Sequence, residues 1–196
     1  MAIRLVVGLG NPGDQYRDTR HNVGAILVAE LARRYGVTLS EDTRFFGDCG
    51  RLQAEGMDLR LLNPTTFMNH SGKSVAALAN FFKIPADQIL VVHDELDFEP
   101  GVARFKDGGG HGGHNGLRDV SKAIGDKYQR LRLGIGHPGH AHQVSNYVLN
   151  RPTAEQRGLI DDSIDEAIRA LPLLVAGEWT KATHKLHTAT PPAAVN

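Results

Sequence analysis

The stretch "VVGLGNPG", residues 6–13, follows the apolar run Ile3-Arg4-Leu5-Val6-Val7 and reads Gly8-x-Gly10-x-x-Gly13. A strand running into three glycines at this spacing is the mark of a dinucleotide-binding fold. That fold also needs a helix that begins inside the motif, so that its N-terminus meets a pyrophosphate. Here Gly13 leads into Asp14-Gln15-Tyr16-Arg17-Asp18-Thr19-Arg20, a run with no apolar face. The next helical pattern starts about nine residues too late. Pro12 lacks an N–H and restricts Asn11 to extended backbone. Glu30 falls inside a helix rather than at the end of a second strand. The glycines therefore read as a tight turn at the carboxyl end of a strand. Such a turn aims Asn11 into the crevice where open α/β sheets carry their sites.

Working outward, strand and helix patterns alternate. Val23, Ile26, Leu27, Leu31 and Ala32 recur at helical spacing and predict a helix over 22–35 that stops at Gly36. Residues 44–53 and 57–63 read as a hairpin turning at Ala54-Glu55-Gly56. The loop "NPTTFMNHSG" leads into a helix over 71–82, and short strands follow over 89–93 and 102–106. "DGGGHGGHNG", residues 107–116, must be a loop. Beyond it the pattern gives a helix over 117–124, a strand over 128–136 and a helix over 153–175, which Pro172 is expected to bend or shorten. A short segment over 179–187 precedes a Pro-, Thr- and Ala-rich tail, 188–196, expected to be disordered. The alternation indicates the α/β class: one domain over 1–187, a sandwich built on a mixed sheet.

Apolar residues make up 41% and charged residues 22% of the 196, an ordinary composition for a soluble globular protein. No apolar run approaches the ~20 residues that would span a bilayer. The first residues lack the charged lead, apolar core and cleavage site of a secretory signal. Cys49 is the single cysteine, which excludes an internal disulfide and fits a reducing compartment, so a cytoplasmic setting is expected. Net charge is zero. Between Gly101 and His140, however, Arg104, Lys106, Arg118, Lys122, Lys127, Arg130 and Arg132 outnumber Asp107, Asp119 and Asp126. A local basic face suits a phosphate partner; a solvated surface of mixed charge is the plain alternative.

Four loops hold polar residues between glycines or prolines or beside a helix start: Gly10-Asn11-Pro12-Gly13, Thr19-Arg20-His21-Asn22, Phe67-Met68-Asn69-His70-Ser71-Gly72 and Gly113-His114-Asn115-Gly116. Asp94 ends a buried strand in "VVHDELD", residues 91–97. A histidine near pKa 6.5 can take a proton from water. An aspartate on its other ring nitrogen fixes the tautomer, and asparagine amides can donate to a developing oxyanion without titrating. One His, one Asp and several Asn thus suit the attack of water on an ester or amide carbonyl.

Each member has a structural alternative. Asn22 reads as a helix N-cap, His21 as a helix-end contact, Asp94 as a structural carboxylate, and Tyr16 as core or as a stacking surface. His70, His93, His114 and His137 read as packing or loop contacts. Other chemistries fail on pattern. "HSGKS" would need glycine where Phe67 stands to be a P-loop, no G-x-S-x-G is present, and Cys49 reads as an apolar filler. Ten histidines raise zinc, with His111/His114 and His137/His140/His142 closely spaced. Without a helical H-E-x-x-H or a later cysteine pair, no metal is expected.

Together, "VVGLGNPG", "YRDTRHNVG", "NPTTFMNHSGKSV", "HDELD", "GGGHGGHNGLRD" and "RLRLGIGHPG" resemble the bacterial peptidyl-tRNA hydrolase family, in the family's order and over 3–187. The resemblance implies a single α/β/α globule with a twisted mixed sheet, no cofactor and a monomer. It implies cleavage of the ester between a peptide and the 3′-terminal ribose of tRNA. His21 matches the family's catalytic base and Asp94 its orienting partner. Asn11, Asn69 and Asn115 match substrate-binding asparagines, and Tyr16 and Phe67 match residues lining the cleft. Arg104, Lys106 and Arg132 fall on or near the basic surface that meets tRNA. A non-catalytic RNA-binding relative on the same scaffold is the alternative of a different class.

Overall fold

Residues of β1 (Leu5–Gly8) alternate between two apolar clusters: Val6 packs into one, Leu5 and Val7 into the other. A strand buried on both faces belongs in the middle of a sheet covered on both sides. In the computed structural model, which describes residues 2–193, β1 occupies that place. The chain continues through α1 (Val23–Arg34), β2 (Ser40–Asp42), β3 (Gly47–Ala54), β4 (Met57–Pro64), α2 (Ser71–Phe82) and β5 (Ile89–Glu95). Then come β6 (Ala103–Asp107), α3 (Asn115–Ile124), β7 (Gln129–Gly134), α4 (Val144–Val148), α5 (Ala154–Val175) and α6 (Trp179–Ala189).

The seven strands form one mixed sheet in the order β2-β3-β4-β1-β5-β7-β6. β1 pairs in parallel with β4 and β5, and β5 with β7, while β2–β3, β3–β4 and β6–β7 are antiparallel. Leu27, Leu31, Ile160, Ile164 and Leu186 place α1, α5 and α6 on one face. Val75, Leu78, Leu117 and Val120 place α2 and α3 on the other. This is the single-domain α/β class read from the sequence.

The hairpin turns at Glu55-Gly56, where φ values of 52° and 77° match the two left-handed positions of the favoured hairpin turn. α2 has the bounds expected of it. α5 ends at Val175 as expected, with Pro172 inside it and no shortening there. Two expectations need correction. α3 starts at Asn115, two residues early, because His114 caps it. The supposed tail is in part ordered: α6 runs to Ala189 and Thr190 is buried. The reason is the open edge of β6. Phe105 N donates to His187 Nε2 at 3.0 Å, and Ala103 N donates to Thr190 Oγ1 at 3.4 Å. Burial pushes the His187 pKa down to about 4, which keeps that ring an acceptor at neutral pH. Residues 194–196 of the expected tail lie outside the described residues. β2 and α4, of three and five residues, were not foreseen; pieces that short carry no periodicity to read.

The opening glycines serve close packing. α1 begins at Val23, well beyond Gly13, so no helix N-terminus lies inside the motif. A Cβ on Gly8 would stand 2.4 Å from the Gly24 carbonyl oxygen, and one on Gly24 would stand 2.2 Å from that of Val92. The bare backbones let the first turn of α1 lie directly on β1 and β5. Ala25 N donates to Leu9 O at 3.2 Å across this contact. The Gly24→Ala variant should therefore lose about 1–3 kcal/mol of stability through overpacking. It should also lose activity, because His21 lies in the turn that leads directly into this helix. Urea unfolding and turnover measured on one preparation check this, and wild-type values for both would contradict it.

Candidate active site

Asp94 lies at the carboxyl end of β5, and His21 lies in the single 3-10 turn that precedes α1. That turn is anchored by its neighbour. Arg20 is buried, donates to Tyr147 O at 3.1 Å and to Gln156 Oε1 at 3.0 Å, and stacks 3.8 Å from the Tyr147 ring centroid. His21 Nδ1 then meets Asp94 Oδ2 at 2.8 Å, and His114 Nε2 meets Asp94 Oδ1 at 2.7 Å. His114 Nδ1 accepts from Gly116 N at 3.1 Å and from Leu117 N at 3.2 Å, as the N-cap of α3. With Nδ1 accepting from backbone, the His114 bond to the carboxylate is donated through Nε2. His21 donates through Nδ1, which leaves the Nε2 lone pair free.

The charges follow from this arrangement. Burial alone would raise the Asp94 pKa, but attraction to His21 and His114 and their hydrogen bonds outweigh it and hold the carboxyl well below the usual range. Burial disfavours the charged form of His21 too, yet the adjacent carboxylate prevails and raises its pKa above 6.5. His93 donates through Nδ1 to the Asp94 carbonyl at 2.8 Å, and burial pushes its pKa down to about 3.

Asn11 is held on three sides. Its N donates to Asn22 Oδ1 at 2.9 Å, its O accepts from Asn22 Nδ2 at 3.0 Å, and its Oδ1 accepts from Met68 N at 2.7 Å. With Oδ1 engaged, Nδ2 is the group left to meet a ligand. Asn22 stands at the N-cap position of α1 but makes no capping bond. The N-cap reading is corrected: the Asn11 backbone takes both ends of its amide. Asn69 and Asn115 are exposed, and Asn115 Oδ1 has only a long contact, 3.5 Å, from Arg118 Nη1.

Two cavities meet at His21. The larger, about 500 Å³, is lined by His21, Asp94, His114, Asn115, Lys106 and Arg132, among others. The smaller, about 280 Å³, is lined by Asn11, His21, Phe67, Asn69 and Asn115, with Met68 and the α4 side chains. Tyr16 is half-buried and lines neither. Arg104 lines neither: Nη1 donates to Thr190 Oγ1 at 2.6 Å and Nη2 to Pro191 O at 2.7 Å. Cys49 is half-buried in β3, its thiol pushed up to about 11 by burial.

The family profile described as peptidyl-tRNA hydrolase matches residues 5–193. The chain belongs to the peptidyl-tRNA hydrolase family. It is 56% identical over 189 residues to the peptidyl-tRNA hydrolase of Pseudomonas paraeruginosa, covering 95% of this chain and 97% of that one. It is 59% identical over 189 residues to that of Tolumonas auensis, covering 95% of each. A crystal structure of the peptidyl-tRNA hydrolase from Acinetobacter baumannii superposes with a TM-score of 0.92 at 50% identity, covering 94% of both chains.

In this member of the peptidyl-tRNA hydrolase family, sequence reading alone did not connect His114 to Asp94. The one available signal was its place before Asn115-Gly116-Leu117, where a helix starts. His21, Asp94 and His114 are also a trio whose ligating atoms all lie within 4.8 Å of one another. Their contacts have hydrogen-bond lengths, whereas a tetrahedral ion with bonds of about 2.1 Å would spread its donors to about 3.4 Å. His114 Nδ1 is committed to backbone as well. The trio is joined through Asp94 at hydrogen-bonding distances.

The protonation chemistry is directly measurable. The His21 imidazole should titrate above pH 6.5, and in Asp94→Asn, with the attraction gone and burial remaining, its midpoint should move down. Imidazole ¹⁵N chemical shifts followed against pH check both; an unmoved midpoint would show that Asp94 does not set it.

Proposed function

We propose that this chain hydrolyses the ester of peptidyl-tRNA with a water molecule activated by His21. The observation that carries the reading is the Asp94 carboxylate, buried and bonded to His21 Nδ1, which leaves Nε2 as a bare acceptor at the junction of the two cavities. Water gives its proton to Nε2 as its oxygen attacks the ester carbonyl. The resulting imidazolium is steadied by Asp94. When the tetrahedral intermediate collapses, that proton passes to the departing 3′ ribose oxygen, leaving an intact tRNA and a peptide carboxylic acid, which gives its remaining proton to solvent and becomes the carboxylate.

Asn11 Nδ2, Asn69 and Asn115 supply uncharged hydrogen bonds to the peptide and to the developing oxyanion; one such donor is worth roughly 10²–10³ in rate. A free ammonium on aminoacyl-tRNA would lose hydration in the smaller, amide-lined cavity, whose lining includes no carboxylate. This gives the site a reason to spare that molecule. Phosphates meet Lys106 and Arg132, both lining the larger cavity. Arg104, whose guanidinium is spent on Thr190 and Pro191, serves the sheet edge instead. Phosphate contacts are blind to sequence, as recycling of many tRNAs requires. No step calls for a cofactor or a second subunit, so the enzyme works as a monomer, and its substrate gives it a cytoplasmic setting. No helix among the described residues is long and apolar enough to cross a membrane.

Incubation with peptidyl-tRNA and a chelator should release free peptide. His21→Ala should lower turnover on the order of 10²–10⁴-fold while the protein stays folded; binding of tRNA without release by the wild type would instead favour the RNA-binding relative. In Lys106→Ala the log–log salt dependence of tRNA binding should flatten by about 0.7–0.9 for each phosphate no longer neutralised. Arg104→Ala should leave that slope in place. Filter binding across a salt series distinguishes the two, and equal slopes in Lys106→Ala and wild type would remove Lys106 from the tRNA face.

A further inference from the structure

Arg130, in β7, is 2% exposed. Among the described residues no carboxylate lies within ion-pair distance of its guanidinium, an arrangement that burial strongly disfavours. Its donors go to the glycine-rich loop: Nη1 bonds to Gly110 O and Nη2 to Gly109 O. The guanidinium also lies over the Tyr128 ring, 4.6 Å from its centroid.

The loop has little else to hold it. Gly108, Gly109, Gly112 and Gly113 have φ between 58° and 106°, and a Cβ on Gly110, Gly112 or Gly113 would meet nothing within 4 Å. Its attachments to the rest of the molecule fall at its two ends. Arg130 takes Gly109 and Gly110, beside the Gly108 N to Tyr128 O bond of 3.2 Å, and His114 bonds to Asp94 at the far end. Asn115 follows at once. A loop of glycines has high conformational freedom, so where its far end settles depends on its anchors.

We propose that Arg130 is a positioning residue for catalysis, a latch that holds the glycine loop so that His114 reaches Asp94 and Asn115 faces the cavity. The inference rests on the roles given above to His21, Asp94 and Asn115. It also explains why an unpaired charge stays buried in β7: the group is kept for the geometry it imposes and not for stability.

Full-length Arg130→Met and Arg130→Lys test it, with hydrogen exchange of residues 107–114, melting temperature, kcat and KM measured on each. In Arg130→Met the loop amides should exchange faster. The melting temperature should hold or rise, because a buried charge is gone and the exposed carbonyls of Gly109 and Gly110 can turn to water. Meanwhile kcat/KM should fall roughly 10- to 100-fold, mainly in kcat, as for a displaced catalytic group. Arg130→Lys, which keeps the charge and part of the bonding, should lie between wild type and Arg130→Met. Unchanged loop exchange in both variants overturns the latch itself. Faster exchange with full activity overturns the link to catalysis and points to an error in the roles given to His114 and Asn115. A parallel fall in melting temperature and activity, with exchange raised throughout the protein, overturns the positioning role in favour of a merely structural one.

Discussion

The Asp94 carboxylate is almost wholly out of solvent, and each of its oxygens takes a hydrogen from an imidazole. A buried carboxylate is tolerated only when such bonds compensate it. Here the compensation also orients two rings. His114 cannot turn over, because its other nitrogen is committed to the first turn of α3. His21 cannot present the wrong nitrogen, because Nδ1 is held by the carboxylate. The anion, the relay and the free Nε2 are one arrangement, and breaking any bond in it leaves a charge or a donor stranded.

The fold reaches that arrangement by bringing several loops to the carboxyl ends of its central strands. Asn22 grips the Asn11 backbone, and Asn11 grips Met68, so the loops after β1 and β4 are tied to the turn that carries His21. The close approach of Gly24 to Val92 sets that turn against β5, two residues before Asp94. Asp119 Oδ2 accepts from Gly72 N at 2.7 Å, which joins the helix after the Asn69 loop to the helix that His114 caps. The amides on the cavity walls are therefore mounted on a connected frame of short contacts and not on independent loops.

Much of this was legible in the sequence, and the missing parts share a cause. The strand–helix alternation, the hairpin and the bounds of α2 follow from periodicity and turn chemistry, which are local. The rejection of a dinucleotide site followed from Pro12 and from the apolar-poor run after Gly13. What local patterns cannot give is partnership across the chain. Asn22 has the composition of an N-cap, yet a backbone eleven residues earlier claims its amide. His114 is an uncommon residue type for a cap, and its bond to Asp94 spans twenty residues. Arg104 has the charge expected of a tRNA contact, but a threonine eighty-six residues away occupies it. Tyr16 is half-buried and lines neither cavity, and its place beside the motif says nothing of where the turn carries its ring.

α6 has a consequence beyond the site. β6 forms one border of the sheet, and a border with open N–H groups is a template on which another chain can align. Here His187 and Thr190 fill those positions with side-chain acceptors, which no incoming strand can displace without undocking the helix. The molecule thus carries its own stopper against polymerisation along that border. A chain cut short before residue 187, by nicking or interrupted synthesis, would leave those N–H groups of β6 open.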